Sequence, residues 1–292
     1  MKKILKIGLP KGSLQEATFK IFQKAGFNIT VSSRSYIPSV DDAELDPILI
    51  RAQEMSRYVE DGALDCGITG DDWIRENNSS VRRVEALEYA KQSLKQVRWV
   101  IAVPESSSIR SIKGLKGKRI ATELVGVTKN FLKKKGVKAE VEFSWGATEV
   151  KVAAGLVDAI VEVTETGASL RANNLRIIDT VCSSTTQLIA NKSSWNNPWK
   201  KGKMEAIAML LKGAIVAGSK VGLKMNVSKK DLASVLSLLP AMKKPTISVL
   251  AEDGWFDIDT IIDEEDVKRL IPALKRSGAQ GIIEYPLNKA IY

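Results

Sequence analysis

The sequence predicts an α/β protein with two hinged lobes followed by a smaller domain of β-α-β-β-α-β order. Three observations carry this. A pattern of helix, glycine, Asp-containing strand, Thr-Gly and helix occurs twice, over residues 62–70 and 155–167. The second copy lies inside a segment, 96–187, that reads as an insertion into the first lobe. The last third then changes character and alternates strands with capped helices. At 292 residues and 44% hydrophobic the chain can fill more than one core.

Residues 4–9 read as a short buried strand, broken by Pro10-Lys11-Gly12. Ser13 and Glu16 have the spacing of a capping box, which predicts a helix to about Ala25 that stops at Gly26. A second helix is predicted over 47–62, then a strand over 64–69 and, past Gly70 and Asp71, a helix near Trp73. Strands are expected at 96–103, 118–122 and 137–143, with a lysine-rich helix over 128–135. The second copy reads as helix 148–155, strand 157–163, the turn Thr164-Glu165-Thr166-Gly167 and a helix from Ala168. The two copies fit a duplicated lobe, and they fit equally a coincidence between two parallel α/β units. Strands follow at 175–179 and 186–191, and the polar stretch 191–203, with Pro198 and Gly202, reads as a surface connection. The expected division is lobe one at 1–95 plus 188–212, lobe two at 96–187 and a third domain at 213–292. Two crossings between lobes form a hinge over a cleft, where ligands bind.

In the last third of the chain an apolar helix over 204–219 leads to strand 221–227 and a helix started by Ser228 and Asp231 that ends at Leu239. Strands 246–250 and 255–262 come next, then a helix from Asp263 to Arg276 ended by Gly278, and a strand over 280–285. This is the ferredoxin-like arrangement.

Composition removes several kinds of chemistry. The chain has no histidine, so Ser-His-Asp and Cys-His catalysis and His-ligated metals are excluded. Any metal must be held by oxygen, which favours Mg²⁺ bound mostly through substrate phosphates. Cys66 and Cys182 lie far apart without CxxC spacing and read as free thiols in a reducing, cytoplasmic compartment. The N-terminal apolar run is broken by Lys6, Pro10 and Lys11, so it is no secretory segment, and no stretch is long enough to span a membrane. The net charge of +10 comes from lysines and arginines scattered along the chain rather than from a basic arm, which argues for a solvated surface or a small anionic substrate over nucleic acid.

Residues 158–170 carry the most chemistry. Small hydroxyls and a glycine at Thr164, Thr166, Gly167 and Ser169 let backbone N–H groups approach a phosphate. Glu162, at the strand end, suits ribose hydroxyls or a developing cation; the plain alternative is an ordinary βα turn. Lys11, Gly12 and Ser13 can meet a polyphosphate or be a surface lysine beside a cap. Arg51 can serve a ligand or pair with Glu54 along a helix, and Glu149 can be a catalyst or a first-turn charge.

Taken in order, Leu9-Pro10-Lys11-Gly12-Ser13-Leu14, Ile50-Arg51-Ala52-Gln53-Glu54, the Leu64 to Asp72 run LDCGITGDD, Lys118-Arg119-Ile120-Ala121-Thr122, Asp158-Ala159-Ile160 through Thr166-Gly167-Ala168-Ser169-Leu170, and Pro240 with Lys244-Pro245-Thr246-Ile247 resemble the long form of the ATP phosphoribosyltransferase family over essentially the whole chain. The resemblance implies a periplasmic-binding-protein-like pair of catalytic lobes and an ACT-like C-terminal regulatory domain. It implies transfer of phosphoribose from phosphoribosyl diphosphate to N1 of ATP as the first step of histidine biosynthesis, with Mg²⁺, a homohexamer and inhibition by histidine. By the same resemblance Glu162 holds the ribose hydroxyls, and Thr164, Glu165, Thr166, Gly167, Ala168 and Ser169 cradle the 5′-phosphate. Lys11, Gly12, Arg51 and Asp72 line the ATP side, Lys11 and Arg51 acting with Glu162 in catalysis, and Met242, Thr246, Ala251 and Ala279 border the histidine pocket. Many relatives carry Asp at the place of Glu162 and Arg at that of Ser13, and some an acid at that of Asn226. The rival expectation is a two-lobed solute-binding protein without catalysis.

Overall fold

The computed structural model describes residues 3–32, 35–91, 96–240 and 245–291. The chain forms two compact units, Met1–Ala208 and Met209–Tyr292.

The first unit begins with β1 (Leu5–Lys11), α1 (Gln15–Ala25), the short pair β2 (Ile29–Thr30) and β3 (Ser39–Val40), β4 (Leu45–Arg51), α2 (Ala52–Glu60), β5 (Cys66–Gly70), α3 (Asp71–Glu76) and β6 (Arg82–Leu87). It continues through β7 (Val97–Pro104), β8 (Arg119–Thr122), α4 (Val125–Lys134), β9 (Glu140–Phe143), α5 (Thr148–Ala153), β10 (Ala159–Thr164), α6 (Ala168–Ala172), β11 (Leu175–Ser184) and β12 (Thr186–Ala190). α7 (Lys192–Trp195) and α8 (Pro198–Ala217) follow.

Two five-stranded sheets result, ordered β4-β1-β5-β12-β6 and β11-β7-β10-β8-β9. Read from its other edge, the second sheet repeats the first. β1 is parallel to β4 and β5, as β8 is to β9 and β10; β5 is antiparallel to β12, as β10 is to β7. The helices match too, since β1-α1-β4-α2-β5-α3 has the order of β8-α4-β9-α5-β10-α6. The repeated sequence pattern is therefore a repeated lobe topology, and both copies break at a left-handed glycine, Gly62 at φ 79° and Gly155 at φ 71°. Each sheet has its own core, with Met55, Val59 and Ile189 in one and Trp99, Ile101, Ile120 and Val161 in the other.

Three sequence expectations are corrected. The helix expected over 47–62 begins only at Ala52, because residues 45–51 form β4. The apolar run Ile48-Leu49-Ile50, with its two β-branched isoleucines, favours a strand, and Pro47, lacking an N–H, is accepted because β4 is an edge. The Ser13–Glu16 capping box does not form. The first helical bond runs from Thr18 N–H to Leu14 C=O, so Ser13 lies outside the cap, and Glu16 pairs with Lys20 at 2.7 Å. The connection expected over 191–203 is helical, with Asn191 capping α7 through Ser193 and Ser194 N–H and Pro198 serving as the first residue of α8.

In the second unit β13 (Lys220–Ser228), α9 (Leu232–Leu238), β14 (Thr246–Val249), β15 (Trp255–Asp263), α10 (Val267–Arg276) and β16 (Gln280–Pro286) form an antiparallel sheet of order β14-β15-β13-β16. This is the ferredoxin-like order. Leu223, Met225, Val235, Ile258, Leu270 and Leu274 make its core. No helix among the described residues is long and apolar enough to cross a membrane.

Candidate active site

Lys11 and Arg51 are register partners at the C-terminal ends of the parallel strands β1 and β4. Open ends of parallel strands are where α/β folds place ligands. Gly12 turns the chain there at φ 108°. The Lys11 ammonium stands 5.1 Å above the ring of Tyr36, a cation–π contact that holds it near the strand end.

β5 ends at Gly70, and α3 opens with Asp71-Asp72. A Cβ on Gly70 would meet Asp72 Oδ1 at 2.0 Å, so only glycine leaves room for that carboxylate to fold back. Asp71 is held by Arg75 and by Arg83, whose Nη2 lies 2.7 Å away. Asp72 is buried at 5% exposure; Oδ1 accepts from Trp73 N–H at 2.8 Å and Oδ2 from Trp99 Nε1–H at 2.6 Å. Burial raises its pKa.

The second lobe contributes the end of β10. Glu162 is half-buried, and its Oε1 accepts the Val163 N–H at 3.2 Å. Burial first, then the like charges of Glu149 and Glu123, push its carboxyl up to about 7. In the following turn Gly167, at φ 76°, donates its N–H to Thr164 Oγ1 at 2.7 Å, and Ala168 N–H reaches Thr166 Oγ1 at 3.3 Å. Ser169 Oγ donates to Glu149 Oε1 at 3.2 Å. The hydroxyls thus hold the turn in shape.

All these turns meet at one cavity of about 570 Å³. Lys11, Arg51, Asp72, Glu162, Thr164, Glu165, Thr166, Ala168 and Ser169 line it, whereas Gly12 and Gly167 do not and serve to turn the chain beside them. The sequence reading missed Gln53, Trp73, Trp99, Glu123 and Ser184, which also line it. Glu123 was within reach of the repeat, because it follows β8 as Gly12 follows β1. Thr246 begins the edge strand β14, Ala251 is exposed just past it, and Ala279 is fully buried in the second unit's core. Met242 lies outside the described residues.

Fold and cleft define a two-lobed α/β enzyme whose site is walled by cations from one lobe and by carboxylates and hydroxyls from the other. Residues 51–213 match the family HisG, ATP phosphoribosyltransferase, and residues 217–289 match HisG_C, the HisG C-terminal domain. The chain is 61% identical to the ATP phosphoribosyltransferase of Solibacter usitatus (strain Ellin6076) over 288 residues, 99% of each chain. It is 59% identical to that of Pelodictyon phaeoclathratiforme (strain DSM 5477 / BU-1) over 291 residues, 100% of this chain and 99% of the other. The solved ATP phosphoribosyl transferase (HisG:HisZ) complex from Thermotoga maritima matches with a TM-score of 0.61 at 27% identity, covering 72% of this chain and 99% of that one. The chain belongs to the ATP phosphoribosyltransferase family and is a phosphoribosyltransferase of histidine biosynthesis.

Proposed function

We propose that the cleft joins N1 of ATP to C1 of phosphoribosyl diphosphate, with the sugar phosphate on the β10 turn and ATP on the β1/β4 side. The observation that carries this reading is the single cavity shared by Lys11 and Arg51 from one lobe and Glu162, Thr164, Thr166 and Ser169 from the other. The 5′-phosphate takes the N–H groups and hydroxyls of residues 164–169, and Glu162 takes the ribose hydroxyls. As the N1 lone pair bonds to C1, the C1–O bond to diphosphate breaks and the sugar gains oxocarbenium character. Ionised Glu162 stabilises that charge. Lys11 and Arg51 bind the polyphosphate, and closure of the lobes excludes water and aligns N1 with C1. A histidine-free chain suits this step, because adenine N1 attacks without a strong base.

Among the described residues no group of three His, Cys, Asp or Glu side chains could hold a metal. We propose that Mg²⁺ would enter on the substrate phosphates, with the protein supplying charge and hydrogen bonds around it. Bound there, it would help to neutralise the charge on the leaving diphosphate. The second unit, with its ferredoxin-like sheet, is proposed to bind histidine near Thr246, Ala251 and the backbone of Ala279, and the enzyme to work as a cytoplasmic homohexamer.

The test mixes protein, ATP, phosphoribosyl diphosphate and Mg²⁺ and follows near-ultraviolet absorbance of the N1-substituted adenine, with and without histidine. A signal that requires both substrates is expected, reduced by histidine. Tight binding of either substrate without turnover would instead support the solute-binding alternative.

A further inference from the structure

α3 follows β5 of the first lobe, yet it is fastened to the second lobe at both ends. At its start Asp72 accepts the Trp99 indole N–H from β7. At its end the Glu76 carboxylate accepts two backbone N–H groups, Gly126 at 2.8 Å on Oε1 and Val127 at 2.8 Å on Oε2. These amides belong to the first turn of α4. That helix has no side-chain cap at Leu124 and no acidic residue in its first turn. The open amides of a helix start require acceptors, and here a carboxylate from the other lobe supplies them. Gly126 leaves the carboxylate room, since a Cβ there would lie 3.3 Å from Glu76 Oε2 and press it outward by a few tenths of an ångström.

The contact leads directly into the cleft. α4 is preceded by Glu123, which lines the cavity and accepts from Gln53 Nε2 at 3.3 Å. Gln53 is itself held by the neighbour of Glu76, because Asn77 Nδ2 donates to the Gln53 carbonyl at 2.8 Å. Residues 76 and 77 therefore fix both ends of a hydrogen bond that joins the two walls of the site.

We propose that Glu76 is a positioning residue for phosphoribosyl transfer, capping α4 across the lobes so that Glu123 and Gln53 stay opposed and the two walls keep their reactive alignment. This rests on the transferase reading. Glu76 lines no part of the cavity and acts through α4. Charge-assisted bonds to two amides are strong enough to set such a register.

The test compares full-length wild type, Glu76→Ala and Glu76→Gln for kcat, for KM of ATP and phosphoribosyl diphosphate, for thermal midpoint, and for amide exchange of a peptide spanning residues 124–132. Misalignment of about 1 Å costs up to about 100-fold in rate, so Glu76→Ala is expected to lose about tenfold or more in kcat, with both KM values within about threefold. Glu76→Gln, whose amide oxygen still accepts one N–H, should recover part of the rate, and exchange in the peptide should rise in the order wild type, Gln, Ala. A folded Glu76→Ala enzyme with kcat within about twofold of wild type overturns the proposal, as does a loss that only tracks the unfolded fraction. If Glu76→Ala does not fold, Glu76→Gln decides: a reduced kcat with faster exchange supports the role and wild-type values overturn it. An inactive wild type overturns the transferase reading and this one together, whereas an active wild type with indifferent variants overturns this one alone.

Discussion

Trp99 donates its indole N–H to Oδ2 of Asp72 at 2.6 Å, joining the second sheet to the first residues of α3. The ring of Trp99 also meets that of Trp73 edge-on, 6.0 Å between centroids. Asp72 therefore stands in the cleft wall with both carboxylate oxygens engaged. These two bonds fix the wall at that point.

Removing the donor tests this. Trp99→Phe leaves one oxygen of a buried carboxylate without its partner, which costs about 1–3 kcal/mol. The urea midpoint should fall accordingly. Gly70→Ala attacks the same carboxylate from the other side, because the new methyl overlaps Oδ1. It should lower both stability and turnover, and wild-type values for both variants would count against the Trp99–Asp72 bond as a fixing contact.

Glu162 gives a pH prediction with a definite sign. Its ordinary value of 4.5 applies to the unfolded chain, and the folded value is about 7. Between those values the native chain keeps a proton that the unfolded chain has lost, so stability falls as pH rises from 4.5 to 7 and levels off above. Glu162→Gln lacks this loss. It should be more stable than wild type at pH 8, and the gap should close near pH 4.5. Thermal midpoints across that range measure it. Glu162→Ala should cut turnover by about 100-fold or more while the protein stays folded.

Glu149 raises the Glu162 carboxyl by like charge and accepts from Ser169. Glu149→Gln removes the charge and keeps an acceptor. The acid limb of kcat/KM for phosphoribosyl diphosphate should then move to lower pH. An unmoved limb would mean that another group sets it.

Much of this was legible in the residues themselves. The two Thr-Gly turns, the left-handed glycines and the β-α-β-β-α-β order follow from local chemistry, and the turns converge on one cavity. What stayed hidden depended on partners distant in sequence. Pro47 reads as a helix start until β4 is known to be an edge strand. The cap at Ser13 fails because the preceding turn at Gly12 shifts the first helical bond to Leu14. Trp99 and Glu76 carry no motif, and each matters only because of a contact made across the lobes. Glu162 was named from its place at a strand end, but its raised pKa comes first from burial and then from Glu149 and Glu123, all of which arise only on folding.

The second unit offers an independent test of packing. Tyr285 lies over Gly222 on the neighbouring strand, where an added Cβ would fall 2.2 Å from the ring, and its hydroxyl donates to Asp259 Oδ1 at 2.9 Å. The ring thus spans β13 to reach β15, and only glycine permits it. Gly222→Ala must push the ring off the sheet and break the bond to Asp259, at a cost of about 1–3 kcal/mol. Tyr285→Phe loses only the hydroxyl, about 1 kcal/mol. The double variant should be no worse than Gly222→Ala alone, because the bond is already gone, and fully additive losses in denaturant titrations would show that the ring and the glycine are uncoupled.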